Sequence, residues 1–245
     1  MNHLRLGIAG EDNGHYTVAT RLVDAALLDR HTWLTDRLSA HRSHCGVHPG
    51  DPWHKYDRDD ANDLRPIEID GRRIAPSGHI NGKPLRPEAG MWRKILLLFC
   101  HRKPRPDAVL LIRDLDGYPT RLGGMQQAAR ELEWPFPIAI AAPQPEVEAW
   151  WVSGFTPTLP AEHSALRALT RELSFNPTTE SQRLTSHPND APTDAKRVLS
   201  RLCGDDPERQ DRCLEDRRLL RERGLHNGLV SFLDELEQHV VPAFR

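Results

Sequence analysis

The sequence has no long apolar run and almost no net charge, and each absence excludes a class of protein. The longest uninterrupted apolar stretch covers residues 95–100, far short of the ~20 residues that a membrane-spanning helix needs. Lysine and arginine number 33 against 35 acidic residues, a formal charge of −2, which excludes a strongly basic shell as the basis of partner choice. Glu11 ends a short apolar start that lacks the long core of a secretory signal. We therefore expect a cytoplasmic protein without a membrane partner.

Cysteine is scarce, and the nucleotide-binding P-loop is missing. The four cysteines have no Cys-x-x-Cys spacing, so we expect free thiols rather than a disulfide framework. A histidine-rich stretch leaves a zinc-stabilised binding protein as an alternative, with the candidate ligands His41, His44, Cys45, His48 and His54. Because no Gly-x-x-x-x-Gly-Lys-Ser/Thr motif occurs, any ATP hydrolysis would have to come from another protein.

Short apolar runs alternate with helical patterns through the first two thirds of the chain. The runs at residues 4–9, 108–112 and 138–142 predict buried strands, because strands of a parallel sheet are covered on both faces. Apolar residues recur at helical spacing over residues 16–28, 90–101, 122–132 and from 146 onward. This order predicts an α/β fold with a mainly parallel, Rossmann-like sheet flanked by helices.

The remaining segments are less regular. Residues 31–34 are predicted as a second short strand, and residues 36–63 as a long loop or insertion. A hairpin is predicted over residues 66–75, turning at Asp70-Gly71, with a further loop over 76–88. Beyond residue 154 we expect no strands, and helices over residues 163–172, 194–202, 207–223 and 225–240.

Acidic side chains follow each of the three predicted strands. Ligands of open α/β sheets bind outside the carboxyl ends of the strands, so we expect these side chains to converge there. Grouped carboxylates repel one another, and a divalent cation removes that repulsion. Oxygen ligands without thiols favour Mg²⁺ or Mn²⁺ over zinc. The candidate ligands are Glu11, Asp114, Asp116, Glu146 and Glu148.

The order of these residues resembles the Toprim fold, which topoisomerases, primases and OLD-type nucleases share. The likeness consists of Glu11 after the first strand, Asp114-Leu115-Asp116 after a later strand, and a glutamate after the third. The segment PEVEAW at residues 145–150 is similar to the Pro-x-x-Glu-x-Trp segment of small stand-alone Toprim proteins, including the RloB-like group of bacterial phage-defence loci. The resemblance implies a Toprim-like catalytic domain over residues 1–155, with an insertion at about 36–88, and a helical region over 156–245 packed on it.

The resemblance also implies a role for each matched acidic residue. Glu11 would be the general acid/base or a metal-bridging carboxylate, and Asp114 and Asp116 would be catalytic metal ligands. Glu148 is the better match to the glutamate two residues before tryptophan, and Glu146 is the reserve.

Four basic residues are considered beside these carboxylates. The resemblance assigns Lys196 to catalysis, stabilising the phosphate or the transition-state charge. Arg121 opens the helix after the Asp-x-Asp turn, where a helix N-terminus favours a phosphate contact. His15, four residues after Glu11, could contact a phosphate or orient that glutamate. Arg113 should face away from Asp114 and form a structural ion pair.

The resemblance implies a Mg²⁺-dependent nuclease that hydrolyses phosphodiester bonds of DNA or RNA. Its setting would be bacterial antiphage defence with an ATPase partner, and a homo-oligomer is compatible with the sequence. Tyr118 stands where the topoisomerase pattern has a third acidic residue, which leaves one or two metal ions open. The alternative is a non-catalytic Toprim module that binds nucleotide or nucleic acid as a subunit of a larger complex.

Overall fold

The structure, a computed structural model, describes residues 3–56, 66–69, 71–75, 78–187, 191–204 and 206–244. In chain order, the strands are β1 (Leu4–Gly10), β2 (Arg42–Cys45), β3 (His54–Lys55), β4 (Ile67–Ile69), β5 (Arg72–Ile74), β6 (His79–Ile80), β7 (Lys83–Pro84), β8 (Ala108–Ile112) and β9 (Ile138–Ala141). The helices are α1 (Asn13–Arg30), α2 (Leu38–His41), α3 (Ala89–His101), α4 (Thr120–Arg130), α5 (Glu148–Gly154), α6 (Pro160–Leu173), α7 (Ala195–Cys203), α8 (Pro207–Arg212), α9 (Arg217–Arg223) and α10 (Leu229–Glu235).

A parallel sheet forms the centre of the described chain. β1 pairs with β8 on one side, and β8 pairs with β9. On its other side, β1 pairs first with β2 and then, near its carboxyl end, with β3. All of these pairings are parallel, so the strands run β2/β3, β1, β8, β9 with their carboxyl ends at one edge. The predicted α/β class with a mainly parallel sheet flanked by helices is thereby confirmed.

Helices cover both faces of this sheet, because alternate strand residues point to opposite sides. Leu110 and Ile112 of β8 join a core cluster with α1 and the C-terminal helices. Val109 and Leu111 join a second cluster formed by α3, α4 and the segment before α3. Burial on both faces explains why the central strands appear in the sequence as uninterrupted apolar runs.

The segment expected to be a long loop instead supplies the edge of the sheet. α2, β2 and β3 all lie within residues 36–63, so that prediction was wrong over its described part. β2 carries Arg42, Ser43 and His44, which are half-buried at an edge and show no apolar periodicity. Residues 32–34 form a 3₁₀ turn rather than the predicted strand, because the chain turns directly after α1 with only Leu34 buried.

Two short hairpins occupy the region before α3. β4 and β5 pair antiparallel as predicted, and Gly71 has a φ of 72° in the turn, while Asp70 lies outside the described residues. β6 and β7 form a second two-residue hairpin in the segment predicted as loop. Residues 57–65 and 76–77 of the predicted insertion also lie outside the described chain.

The C-terminal helices begin and end where caps dictate. The single helix predicted over residues 207–223 is two helices, α8 and α9, because Asp216 interrupts it and accepts the Leu219 amide at 3.0 Å as the cap of α9. The helix predicted from residue 225 begins only at Leu229, after Gly228 with a φ of 85°, and continues as a π-helical turn over Leu236–Val240.

In the described parts of the chain, no helix has both the length and the apolar character to cross a membrane.

Candidate functional site

The acidic residues that follow β1, β8 and β9 meet at the carboxyl edge of the sheet. Sheet-like hydrogen bonds continue beyond the last paired strand residues: the amide of Leu115 donates to Pro143 O at 2.9 Å and the amide of Asp116 donates to Pro145 O at 2.8 Å. This extension carries the chain after β9 alongside the Asp-x-Asp turn. Glu146 therefore arrives next to Asp114 rather than diverging from it.

Asp114 lies at the centre of the group and is buried. Its Oδ1 accepts the Val147 amide at 2.9 Å and lies 2.9 Å from His15 Nε2. Its backbone carbonyl accepts Arg121 Nη1 at 3.0 Å. Two segments thus contact the carboxylate and a third holds the backbone of the same residue, which fixes the side chain around which the rest of the site is arranged.

His15 is fully buried behind this carboxylate. Asp12 caps α1 by accepting the His15 amide at 3.0 Å, which places the imidazole under the strand end. The Glu11 amide donates to Nδ1 at 3.0 Å, so the proton of the neutral ring is on Nε2, facing Asp114. Burial opposes protonation of His15, but Asp114 outweighs it and raises the pKa of the ring. His15 therefore orients Glu11 and Asp114, and its full burial is inconsistent with the predicted phosphate contact.

The backbone at Asp116, which belongs to the same group, is not extended like a strand. Its φ is 47°, and Gly117 follows with a φ of 75°, so the chain turns sharply instead of continuing as the strand. Arg121, the first-turn residue of α4, forms an ion pair with Asp116 and is itself buried. Arg121 is thus paired with one of the protein's own carboxylates, and its predicted phosphate contact stays a prediction.

Glu11 is paired with Arg113, which is 2 % exposed. Arg113 faces the side of the sheet opposite to Asp114, as its position on the strand predicts, and its guanidinium lies 5.3 Å from the centroid of the Tyr56 ring. It also donates to both carboxylate oxygens of Glu88, each at 3.2 Å. The predicted structural ion pair of Arg113 thus exists and involves Glu11 itself.

Glu146 and Glu148 form the third side of the site. Glu146 is 2 % exposed and lies 3.2 Å from Lys196 Nζ through Oε2, while its Oε1 is buried without a hydrogen-bond partner. Glu148 opens α5, and its Oε2 is likewise buried without one. Burial, opposed by Lys196, raises the pKa of Glu146 to about 7. Burial and the charge of Glu146 raise the pKa of Glu148 to about 8.

Lys196 extends over this pair from the first turn of α7, and more than half of its side chain is exposed. Burial opposes its charge, but Glu148 and Glu146 outweigh this and raise its pKa, so the ammonium group stays protonated. Asp194, two residues earlier, caps α7 by accepting the Arg197 amide at 2.8 Å and is 2 % exposed. Lys196 is thus a cation at the open side of the acidic group.

The oxygen and nitrogen atoms that could hold a metal ion fall into two groups that share Asp114. Atoms of Glu11, His15 and Asp114 lie within 4.8 Å of one another, as do atoms of Asp114, Asp116 and Glu146. Glu146, a member of the second group, has one buried oxygen without a hydrogen-bond partner. Buried carboxylate oxygens normally have partners, so these atoms fit a divalent cation.

No family model, curated protein or solved structure matches the chain. What the site can do therefore has to be derived from its own residues.

The five predicted carboxylates lie in one region, but the structure and the sequence prediction differ in which of the last two lies nearer to Asp114. Glu146, expected as the reserve, joins Asp114 and Asp116 within metal-ligand distance. Glu148, expected to be the better ligand, lies at the start of α5 and affects the site through its charge. The sequence prediction follows the spacing to tryptophan, whereas the extended pairing after β9 places Glu146 beside Asp114.

Two participating residues were not predicted. Glu88 contacts both Arg113 and Arg121, and Asp194 raises the pKa of Glu146 through its charge. Asp194 is recognisable in the sequence as a helix cap two residues before Lys196. Glu88 has no comparable signal, because its partners lie more than twenty residues away and depend on packing of α3 against α4.

The alternative zinc site has no support in the described residues, since the metal-ligand groups found there involve only the carboxylate region. His44 Nδ1 and the Tyr16 hydroxyl share a hydrogen bond of 2.8 Å, and His44 also contacts Arg42. Burial and the charge of Arg42 lower the pKa of His44 to about 4. The four cysteines are free, as predicted.

Proposed function

We propose that the protein is a Mg²⁺-dependent nuclease of the Toprim type, hydrolysing phosphodiester bonds of DNA or RNA. The observation that supports this most directly is the convergence of Asp114, Asp116 and Glu146, with one buried Glu146 oxygen lacking a partner. Hard oxygen ligands suit Mg²⁺ or Mn²⁺, which leave coordination positions for water and substrate phosphate. When bound, such a cation acts as a Lewis acid and lowers the pKa of a coordinated water.

The protein's own residues prepare this site in distinct ways. Asp114, Asp116 and Glu146 would hold the cation, with Glu11 on the neighbouring side as a further ligand or as the general acid/base. His15 holds Asp114 and the Glu11 backbone in position. Lys196, protonated and exposed at the open side, is placed to bind a substrate phosphate once a cation neutralises Glu146.

The antiphage setting and an ATPase partner belong to this proposal through the sequence resemblance alone. A formal charge of −2 and an acidic site give little unaided attraction for nucleic acid. An ATPase partner that delivers the substrate would remove that difficulty.

One observation favours the alternative, a non-catalytic Toprim module that binds nucleotide or nucleic acid within a larger complex. Arg113 and Arg121 already neutralise Glu11 and Asp116. If these ion pairs persist in the presence of Mg²⁺, the site is a structural salt-bridge network rather than a catalytic centre.

The test is cleavage of plasmid DNA and of structured RNA by the purified protein in Mg²⁺ or Mn²⁺ and in EDTA. Asp114→Asn is the decisive variant, because asparagine still accepts the Val147 amide but removes the charge. We expect cleavage to require the cation and to fall at least about a hundredfold in Asp114→Asn, while the exposed Glu133→Gln control retains it. Cleavage that persists in a folded Asp114→Asn variant would refute the enzyme proposal, and nucleic-acid binding without any cleavage would favour the alternative.

A further inference from the structure

Arg113 and Arg121 each contact two carboxylates, one that is a candidate metal ligand and one that is not. Arg113 pairs with Glu11, a candidate ligand, and with Glu88. Arg121 pairs with Asp116, another candidate ligand, and its Nε lies 3.5 Å from Glu88 Oε1. Glu88 is therefore the carboxylate that the two arginines have in common.

Glu88 is held where it can serve both guanidinium groups. It precedes α3 with a φ of 64°, in the left-handed region, and its side chain is 12 % exposed. Oε1 lies between Arg113 Nη2, at 3.2 Å, and Arg121 Nε, while Oε2 accepts Arg113 Nε at 3.2 Å. A non-glycine residue in this conformation requires support from its surroundings, and here the two arginines supply part of it.

Cation binding would compete directly with these ion pairs. To give a metal ion both carboxylate oxygens, or the oxygen that is now ion-paired, Glu11 and Asp116 must leave Arg113 and Arg121. A buried guanidinium left without a counter-charge is strongly destabilising, and both arginines are buried. The exchange is feasible only if another carboxylate retains the two guanidinium groups.

We propose that Glu88 is a positioning residue that retains Arg113 and Arg121 when a divalent cation takes Glu11 and Asp116. This inference rests on the proposed function, because it concerns the same cation site. Glu88 does not coordinate the ion. It sets the affinity of the site by keeping the arginine charges away from the ligands.

The experiment is calorimetric titration of Mn²⁺ into the wild-type protein and its variants. Glu88→Gln removes the carboxylate charge at nearly constant volume, so Arg113 and Arg121 should hold Glu11 and Asp116 more tightly. We expect the Mn²⁺ affinity to fall at least about tenfold, a difference of about 1.4 kcal/mol. Glu133→Gln, at an exposed position three residues beyond the end of α4, should bind Mn²⁺ like the wild type.

Two further variants separate this role from a general loss of negative charge. Glu88→Asp keeps the charge but shortens the reach to the guanidinium groups, so its affinity should also fall. In an Arg121→Gln background, which frees Asp116, the loss caused by Glu88→Gln should shrink severalfold. If Glu88 acted only through its negative charge, Glu88→Asp would bind Mn²⁺ like the wild type. The loss of affinity caused by Glu88→Gln would then persist in the Arg121→Gln background.

The outcomes distinguish the inference from the proposal beneath it. Absence of Mn²⁺ binding by the wild type overturns both the cation site and the role of Glu88. Wild-type binding with undiminished affinity in folded Glu88→Gln, or an undiminished loss in the Arg121→Gln background, overturns only the role of Glu88. If Glu88→Gln does not fold, Glu88→Asp decides: wild-type affinity there overturns the inference, and a loss supports it.

Discussion

Glu146 makes the metal-free protein less stable as the pH rises through neutrality. Its pKa is about 7 in the folded protein, against an ordinary value of 4.5, because the carboxyl is buried. A group with a raised folded pKa contributes its full stabilisation below the unfolded pKa and loses it as the pH rises through the folded pKa. The relevant window therefore extends from about pH 4.5 to about pH 7 and slightly beyond.

The size of the effect follows from these two pKa values. Between about pH 5.5 and about pH 8, Glu146 alone should remove about 2 kcal/mol from the free energy of unfolding. Glu148, with a pKa of about 8, acts in the same direction. The two contributions are not added, because protonation of either glutamate relieves the other.

Other buried groups titrate in the same window, so the measurement has to be a difference between two proteins. Asp24, with its pKa raised to about 6 by burial, changes stability in the same direction as Glu146. His44, with its pKa lowered to about 4, acts oppositely, because the unfolded chain gains its proton first. Glu146→Gln removes the Glu146 titration and leaves those of Asp24 and His44 in place.

The assay is urea unfolding of wild type, Glu146→Gln and the exposed Glu133→Gln control at both pH values, in EDTA. Relative to the wild type, Glu146→Gln should gain about 2 kcal/mol between about pH 5.5 and about pH 8, and Glu133→Gln should gain nothing. Mn²⁺ should stabilise the wild type more at the higher pH, because the ligands must be deprotonated to bind it. A constant difference between wild type and Glu146→Gln across the range would refute the assignment of a buried, protonated Glu146.

Two further predictions concern packing at the helices around the site. A Cβ at Gly124 would overlap a backbone carbonyl oxygen before α3, whereas a Cβ at Gly123 would meet only the flexible end of Arg86. In thermal unfolding, Gly124→Ala should therefore destabilise the protein by at least about 2 kcal/mol, while Gly123→Ala should be neutral or stabilise it by up to about 1 kcal/mol. Equal effects of the two substitutions would contradict this packing. Asn227 is fully buried and donates to two serine hydroxyls at 2.9 Å each, so Asn227→Ala should cost about 2 kcal/mol in urea unfolding, and a variant as stable as the wild type would show that this network contributes nothing.

The central strands and the grouping of their acidic ends could be predicted because both depend on local signals. Residues 108–112 form an apolar run bounded by polar residues, and such a run is buried wherever it lies in a sheet. Once the strands are parallel, their carboxyl ends share an edge, which brings Glu11, Asp114 and Glu146 together. The edge strand β2 was missed because a half-exposed strand of arginine, serine and histidine has no apolar signature.

The sequence by itself thus determined the α/β class and which carboxylates share an edge, since apolar runs and strand polarity are properties of the chain. The tertiary structure alone decided how those carboxylates are used. It turned Glu146 inward beside Asp114, placed Arg113 and Arg121 on Glu11 and Asp116, and brought Glu88 between the two arginines. Ion-pair partners are chosen by distances of a few ångströms between segments far apart in the chain, and residue spacing does not encode those distances.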